Sequence, residues 1–335
     1  MSLFRAEIGI DLGSVNVVIY LRGKGIVIQE PSVVAILTSE QRIVEVGEAA
    51  RQMYGRTPEE IEVTRPVRDG VIADYQVTQT MLKYFVDRVR RFKILPPRIV
   101  IGVPYGVTSV ERRAVREAAS ETGAGEVHLL REPLAAALGA GLPVDTATGN
   151  LILDLGGGTA EAAVVSMNGI VVANSVRVGG IRLDEAIQNF IRRKYNLAVG
   201  EATAEDVKIK IGSAMQLEHE LVMQVQGRDQ VSGLPRTIEV TSTEITEALS
   251  EPLTQIVGCV RSVLEKTPPE LASDIIDRGM AMTGGTALLR KLDEYLSKEV
   301  GVPAYVADVP MACVALGTGR ALENIEILKR TEFLQ

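Results

Sequence analysis

The stretch IGIDLGSVN, Ile8 to Asn16, constrains this chain more than any other. An apolar run delivers an aspartate, a glycine and a hydroxyl side chain to one point, so a carboxylate and exposed backbone N–H groups converge there. Such a turn suits a phosphate with its metal, although Asp-Leu-Gly also occurs at ordinary strand-to-turn junctions. The chain then repeats it. LILDLGGGT, Leu151 to Thr159, places Asp154 at the same point of a second strand-turn unit. Self-similarity at that separation predicts a duplicated domain with two facing phosphate loops.

At 335 residues the chain exceeds one ordinary core and predicts two lobes. Its net charge of −7 argues against nucleic acid as a partner, which calls for a basic stripe. Cys259 and Cys313 stand far apart in apolar or small-residue surroundings and read as core thiols. His128 stands alone and His219 sits in a charged Glu-His-Glu setting, so neither supports a catalytic triad or a zinc site. The opening MSLFRAEIG lacks the pattern of a signal peptide, and no apolar run is long enough to span a bilayer. The expectation is a cytoplasmic protein whose membrane contact is peripheral.

Short β-rich runs at Ile8–Leu12, Val15–Arg22 and Ile26–Gln29 predict a meander, followed by two short strands, Val33–Leu37 and Ile43–Val46, and a helix near Glu48 to Tyr54. The segment TRPVRDG, Thr64 to Gly70, is turn-rich. Asp74 opens an amphipathic helix with Met81, Leu82, Phe85, Val86 and Val89 on one face, which Pro96 and Pro97 should end. Phe92, Ile94 and Leu95 then either fold back onto the core or form an exposed apolar tip. Ile99–Val103 is a strand, Thr108 to Glu111 opens a helix, and Val127–Leu130 leads into Glu132-Pro133 and the small-residue helix Leu134 to Gly141, expected at the seam between lobes.

The second lobe repeats the meander with Leu151–Leu155, Glu161–Met167 and Ile170–Arg177. Helices are expected over Asp184 to Tyr195 and Ala202 to Glu220, then a strand pair, Leu221–Gln226 and Thr237–Val240, and a helix capped by Ser242-Thr-Glu244 that runs to about Glu265. MAMTGGTALL, Met280 to Leu289, is a strand turning through two glycines into a helix; helices near Leu289–Val300 and Met311–Glu323 and a short polar tail close the chain.

Two meander units with loop aspartates, a small-residue helix between them and a late Thr-Gly-Gly turn resemble the actin-like ATPase superfamily, and within it the MreB/Mbl family of bacterial actins. The resemblance covers the whole chain. It is carried by IGIDLGSVN, GKGIVIQEPSVVA from Gly23, IGVPYGVTSVERRAV from Ile101, EPLAAALGAG from Glu132, DLGGGTAEAAVVS from Asp154, ATAEDVKIKIGSA from Ala202 and TGGTALLRKL from Thr283. It implies an α/β, actin-like fold of the duplicated ribonuclease H type, two-lobed, with nucleotide in the interlobe cleft and two small insertion subdomains. The expected division is 1–31, 75–144 and 315–335 for the first core, 32–74 for its insertion, 145–180 and 254–314 for the second core, and 181–253 for its insertion.

The resemblance implies an ATPase coupled to polymerisation: ATP or ADP as ligand, filaments of the chain itself in paired protofilaments, and a role in cell-wall elongation and rod shape. It further implies the inner face of the cytoplasmic membrane as a contact, with elongation proteins such as RodZ and MreC as partners. Asp11 and Asp154 would face one tripolyphosphate with Mg2+ between them, held through water, while Ser14, Val15, Asn16, Gly156, Gly157 and Gly158 cradle its oxygens. Glu132 and Thr159 would position the attacking water. Glu205, Asp206, Val207 and Lys208, with Gly284, Gly285, Thr286 and Ala287, would hold the nucleoside. Without the resemblance, Glu205 and Lys208 read as a surface helical ion pair. The family's membrane contact would fall on Phe92, Ile94 and Leu95, helped by Leu3 and Phe4.

Three residues depart from the family pattern. Val17 replaces a hydroxyl residue of the first loop, Arg131 stands where a second glutamate is common, and Thr286 replaces a glycine of the nucleoside-side turn. A sugar or acetate kinase shares both aspartates but needs a further positioned base, and no extra carboxylate motif serves. A DnaK-type chaperone would require a peptide-binding domain beyond the nucleotide domain, and none is expected here.

Overall fold

The computed structural model describes residues 5–90 and 95–324. Two five-stranded sheets follow one plan. The first runs Glu126–Arg131, Arg98–Val103, Glu7–Leu12, Asn16–Leu21, Gly25–Pro31; the second runs Ala304–Val306, Met280–Thr283, Asn150–Leu155, Ala160–Ser166, Gly169–Val176. In each, the strand ending in an aspartate loop is central, antiparallel to the next strand of its meander and parallel to a later one. Ile10 lies opposite Ile19 and Ile101, and Leu153 opposite Ala162 and Met282. Central strands are covered on both faces, which is why these runs are almost wholly apolar. Their C-terminal ends deliver Asp11 and Asp154 to the edge where open α/β sheets bind ligands.

The helices begin where their caps predict. Asp74 accepts a bond from Val77 N at 3.0 Å and opens Tyr75–Val89, which buries Met81, Leu82, Phe85 and Val86 completely. Thr108 and Glu111 form a capping box ahead of Ser109–Ser120. The helix Glu132–Gly139 is buried along its whole length and packs on Cys313–Glu323. A methyl added at Gly139 would lie 2.8 Å from Cys313 Cα, and one at Gly317 would lie 2.9 Å from Ala135 Cα, so two small-residue faces meet backbone to backbone. Their shared core joins Val100 and Leu130 of the first sheet to Ile152, Ala163 and Ala281 of the second, which makes this helix the seam. Cys259 and Cys313 are buried free thiols.

Two three-stranded sheets, Arg42–Val46, Val34–Leu37, Ile61–Thr64, and Leu197–Ala198, Val222–Asp229, Pro235–Thr241, and the short pair Val67–Arg68 and Val71–Ile72 are smaller. The short strands Ile61–Thr64 and Leu197–Ala198 were not expected, because runs this short show no period of their own. The helix expected to reach Glu220 ends at Ile211. Gly212 turns extended, and Ser213 forms a bridge with Arg290 from the other side of the lobe, a tertiary pairing that overrides local helical spacing. Thr241, one residue earlier than expected, makes the capping box with Glu244, while Ser242 is buried and accepts a bond from Leu221 N. The helix Pro269–Arg278 begins with proline in its first turn, where the missing N–H costs nothing. The Thr-Gly-Gly turn enters a 3-10 helix, Gly285–Leu288, before the helix Leu292–Val300.

Leu3, Phe4, Phe92, Ile94 and the tail 325–335 lie outside the described residues. Leu95 is exposed. Among the described residues no helix is long and apolar enough to cross a membrane.

Candidate functional site

A cavity of about 340 Å³ lies where the two aspartate loops face each other, within the range of small-ligand sites. Asp11, Ser14, Val15 and Asn16 line it from the first sheet; Asp154, Gly156, Gly157, Gly158 and Thr159 line it from the second. The loops nearly touch. A Cβ at Gly157 would lie 2.8 Å from Val15 Cβ, and Ser14 Oγ accepts a bond from Gly70 N at 3.0 Å. Glycine at 157 therefore lets the second loop's backbone reach the cavity beside Val15. Val17 turns out to be a buried strand residue paired with Leu12 and Glu30, so its hydroxyl-free side chain belongs to the core.

Asp11, Asp154 and Glu132 line the cavity, and a fourth carboxylate, Glu161, is buried close enough to feel the Asp154 charge. Burial, then the Asp154 charge, pushes Asp11 up to about 8. Burial pushes Asp154 up to about 6 against the opposing bond that Thr283 Oγ1 donates at 2.7 Å. Glu132, at the first turn of its helix, is held well above the ordinary carboxylate range by burial and then by Glu161, Asp11 and Asp154. Glu161 is raised to about 7 by burial even though Ser175 Oγ and Tyr105 N donate to it. Glu161 was not anticipated; a lone carboxylate within the apolar run AEAAVVS is the signal that marks it.

Like charges gathered in a dry site call for a cation. Among the described residues no cluster of three or more acidic, histidine or cysteine side chains is poised to hold a metal alone. Asp11 and Asp154 are a two-carboxylate donor set from opposite sheets, and that fits Mg2+, which keeps much of its water and takes its remaining ligands from phosphate.

Glu205, Lys208, Gly284, Gly285 and Thr286 also line the cavity. Three expected neighbours do not line the cavity. Asp206 is exposed and pairs with Lys210 at 3.0 Å, while Val207 and Ala287 are buried in the core of the second lobe. Helical spacing explains this, since residues three apart share a face and those between them cannot. Glu205 and Lys208 are not paired with each other. Glu205 accepts from Arg51 at 2.7 Å, and Lys208 lies 2.8 Å from Asp184. Thr286 donates to the Gly156 carbonyl at 2.9 Å, so the residue replacing a glycine braces the phosphate loop. Arg131 donates to the Tyr105 carbonyl at 2.8 Å with its guanidinium 5.5 Å from that ring. Arg65, Gly70 and Asp184 also line the cavity and were not anticipated, although TRPVRDG carries the first two.

The profile of the family described as MreB/Mbl protein matches residues 5–330. The cell shape-determining protein MreB of Escherichia coli strain K12 is 52% identical over 331 residues, covering 97% of this chain and 95% of that protein. The cell shape-determining protein Mbl of Bacillus subtilis strain 168 is 48% identical over 329 residues, covering 98% of this chain and 99% of that protein. The crystal structure of MreB5 of Spiroplasma citri bound to ADP superposes with a TM-score of 0.92 at 39% identity, covering 98% of each chain. The MamK double helical filament superposes with a TM-score of 0.81 at 20% identity over 96% of this chain and 99% of that one, a likeness of fold. The α/β fold is thus the actin-like one, and the chain belongs to the MreB/Mbl family.

Proposed function

We propose that this chain binds and hydrolyses ATP in the cavity between its two aspartate loops and couples that cycle to polymerisation into filaments that lie on the inner face of the cell membrane and direct rod-shaped growth. The observation that carries the reading is the convergence of Asp11 and Asp154, from equivalent strands of two sheets, with glycine-rich backbone on both sides. Solved MreB5 from Spiroplasma citri in ADP-bound and AMPPNP-bound forms supports a nucleotide here, and the MreB and Mbl relatives, named for cell shape, support the cellular role.

Backbone N–H groups of the two loops and the Ser14 hydroxyl bind the phosphates. Asp11 and Asp154 would hold Mg2+ through water, and the ion when bound offsets phosphate charge. Glu132 accepts the proton of the attacking water, and its raised pKa makes it a stronger base than an exposed carboxylate once ionised. Thr159 orients the same water. Glu205 and Lys208 hold the ribose, and Gly284 to Thr286 flank the base. The two small three-stranded sheets, inside 32–74 and 181–253, support the four-part division of the chain. Leu95, exposed beside Pro96, supports an apolar membrane tip; contacts with RodZ- and MreC-type proteins rest on the family alone.

ATP-dependent pelleting, electron microscopy of the pellet and phosphate release measured in parallel test the proposal. Filaments that appear with ATP and release phosphate are expected. A chain that stays monomeric and phosphorylates a metabolite would overturn it.

A further inference from the structure

Asp184 is one of the few carboxylates in this fold that is almost wholly buried, with 5% of its surface exposed, yet it lines the cavity. It stands in the second turn of the helix Gly180–Tyr195. Lys208 Nζ lies 2.8 Å from its Oδ1 and 2.9 Å from its Oδ2, and the same ammonium donates to the Gly180 carbonyl at 3.0 Å. An ammonium has three N–H groups, and its hydrogen bonds to Asp184 Oδ2 and to the Gly180 carbonyl engage two of them. Glu205, three residues before Lys208, shares the cavity-facing side of the helix Glu201–Ile211. Its Oε2 takes the Arg51 guanidinium. A donor and an acceptor therefore sit side by side on one wall, the pattern that suits a vicinal diol, in which each hydroxyl both gives and takes a bond.

The geometry points to Asp184 as a positioning residue that locks the Lys208 ammonium beside the Glu205 carboxylate, so that the pair reads the 2′ and 3′ hydroxyls of a ribonucleotide. This rests on the nucleotide reading above and adds to it a ground for sugar specificity. Lysine is a flexible four-carbon stem carrying a point charge, and unrestrained it would reach phosphate as readily as sugar. A buried ion pair is weak evidence for stability, since an apolar pair of the same volume does as well. Asp184 and Lys208 are placed on a cavity wall, where apolar replacements would leave nothing to address a hydroxyl.

The test is equilibrium binding of Mg-ATP, 2′-deoxy-ATP and 3′-deoxy-ATP to the full chain, wild type and Asp184→Asn, with thermal melting as a check on folding. Wild type should favour ATP over each deoxynucleotide by about tenfold or more, because a site built to bond a hydroxyl leaves a polar group unpaired when it is missing. In Asp184→Asn that preference should shrink to within about twofold, chiefly through weaker ATP binding. If Asp184→Asn does not fold, Asp184→Asn with Lys208→Gln, which buries no unpaired charge, should show the same loss. A variant that keeps the wild-type preference overturns the inference, even if all three nucleotides bind more weakly. Wild type that binds ATP but does not prefer it over the deoxynucleotides overturns the inference alone, whereas wild type that binds no nucleotide overturns the function proposed for the cavity.

Discussion

Arg51 Nη2 lies 2.7 Å from Glu205 Oε2 and thereby ties the helix Glu48–Gln52 to the helix Glu201–Ile211. One turn earlier Glu201 takes Arg65, whose guanidinium carbon sits 6.0 Å from the Tyr54 ring centroid. Two arginine–glutamate bridges thus join these elements beside the cavity, which Arg65 and Glu205 line, and a ligand held behind them would leave faster when one is removed. Partly exposed pairs contribute about 0.2–1 kcal/mol each. Arg51→Ala should therefore speed release of a fluorescent ATP analogue by up to about fivefold in stopped flow. Raising the salt should shrink the difference, because screening weakens the wild-type bridge. Equal release rates at low salt would show that the bridge does not restrain opening.

The seam between Glu132–Gly139 and Cys313–Glu323 leaves no room for a side chain at its two contact glycines. Gly139→Ala places a methyl against the Cys313 carbonyl, and Gly317→Ala places one against that of Ala135. Overpacking of this kind costs roughly 1–3 kcal/mol, and here the obstacle is backbone that cannot rotate away. Each variant should lower the urea midpoint with little change in slope. Because the two sites press the same pair of helices apart, the double variant should lose less than the sum. Strict additivity would argue that the helices yield independently.

Much of this was legible in the residues. Apolar runs buried on two faces gave the central strands, and hydroxyl or aspartate residues ahead of helical spacing gave the starts near Tyr75 and Ser109. The two aspartate loops located the cavity, because a repeated acid-and-glycine turn has few structural reasons to occur at equivalent strand ends. Other features depend on partners far away in sequence. The helix after Gly200 stops at Ile211 because Ser213 pairs with Arg290, and Lys208 pairs with Asp184 rather than Glu205 because two helices happen to cross there. Asp206, Val207 and Ala287 were carried along by motif position, and only the helical phase separates them from their cavity-facing neighbours. Arg65 and Gly70 lay in a segment that read as a turn, and only its approach to Ser14 and Glu201 gives it a place in the site.

Glu132 occupies the first turn of a buried helix with three other carboxylates around it. Glu132→Gln keeps the shape and removes the proposed base together with the negative charge it carries when ionised. Phosphate release should fall by about 10²-fold or more, the usual scale for a positioned base. ATP affinity should hold or improve, because crowding among the remaining acids is relieved. Single-turnover release with saturating ATP separates the two effects. An undiminished rate would remove Glu132 from the hydrolytic step.

Glu126 and Arg98 face each other across the parallel strand pair at the edge of the first sheet. Arg98 Nε donates to Glu126 at 2.6 Å and Arg5 Nη1 donates to it at 2.7 Å, and these two guanidinium bonds hold its carboxyl down to about 2. A carboxylate lowered by folding contributes stability that is fully present above its unfolded value, 4.5, and is lost as the pH falls toward its folded value, about 2. Glu126 is 40% exposed, so solvent screening keeps each pair in the range of about 0.2–1 kcal/mol at neutral pH. Glu126→Gln should therefore be slightly less stable than wild type at pH 7 and should close that gap between pH 4.5 and about 2. Urea midpoints measured at pH 7, 4 and 3 give the comparison. Curves that stay parallel down to pH 3 would mean that the ionised pair adds nothing to the fold, and that Arg5 and Arg98 hold the strand edge by packing alone.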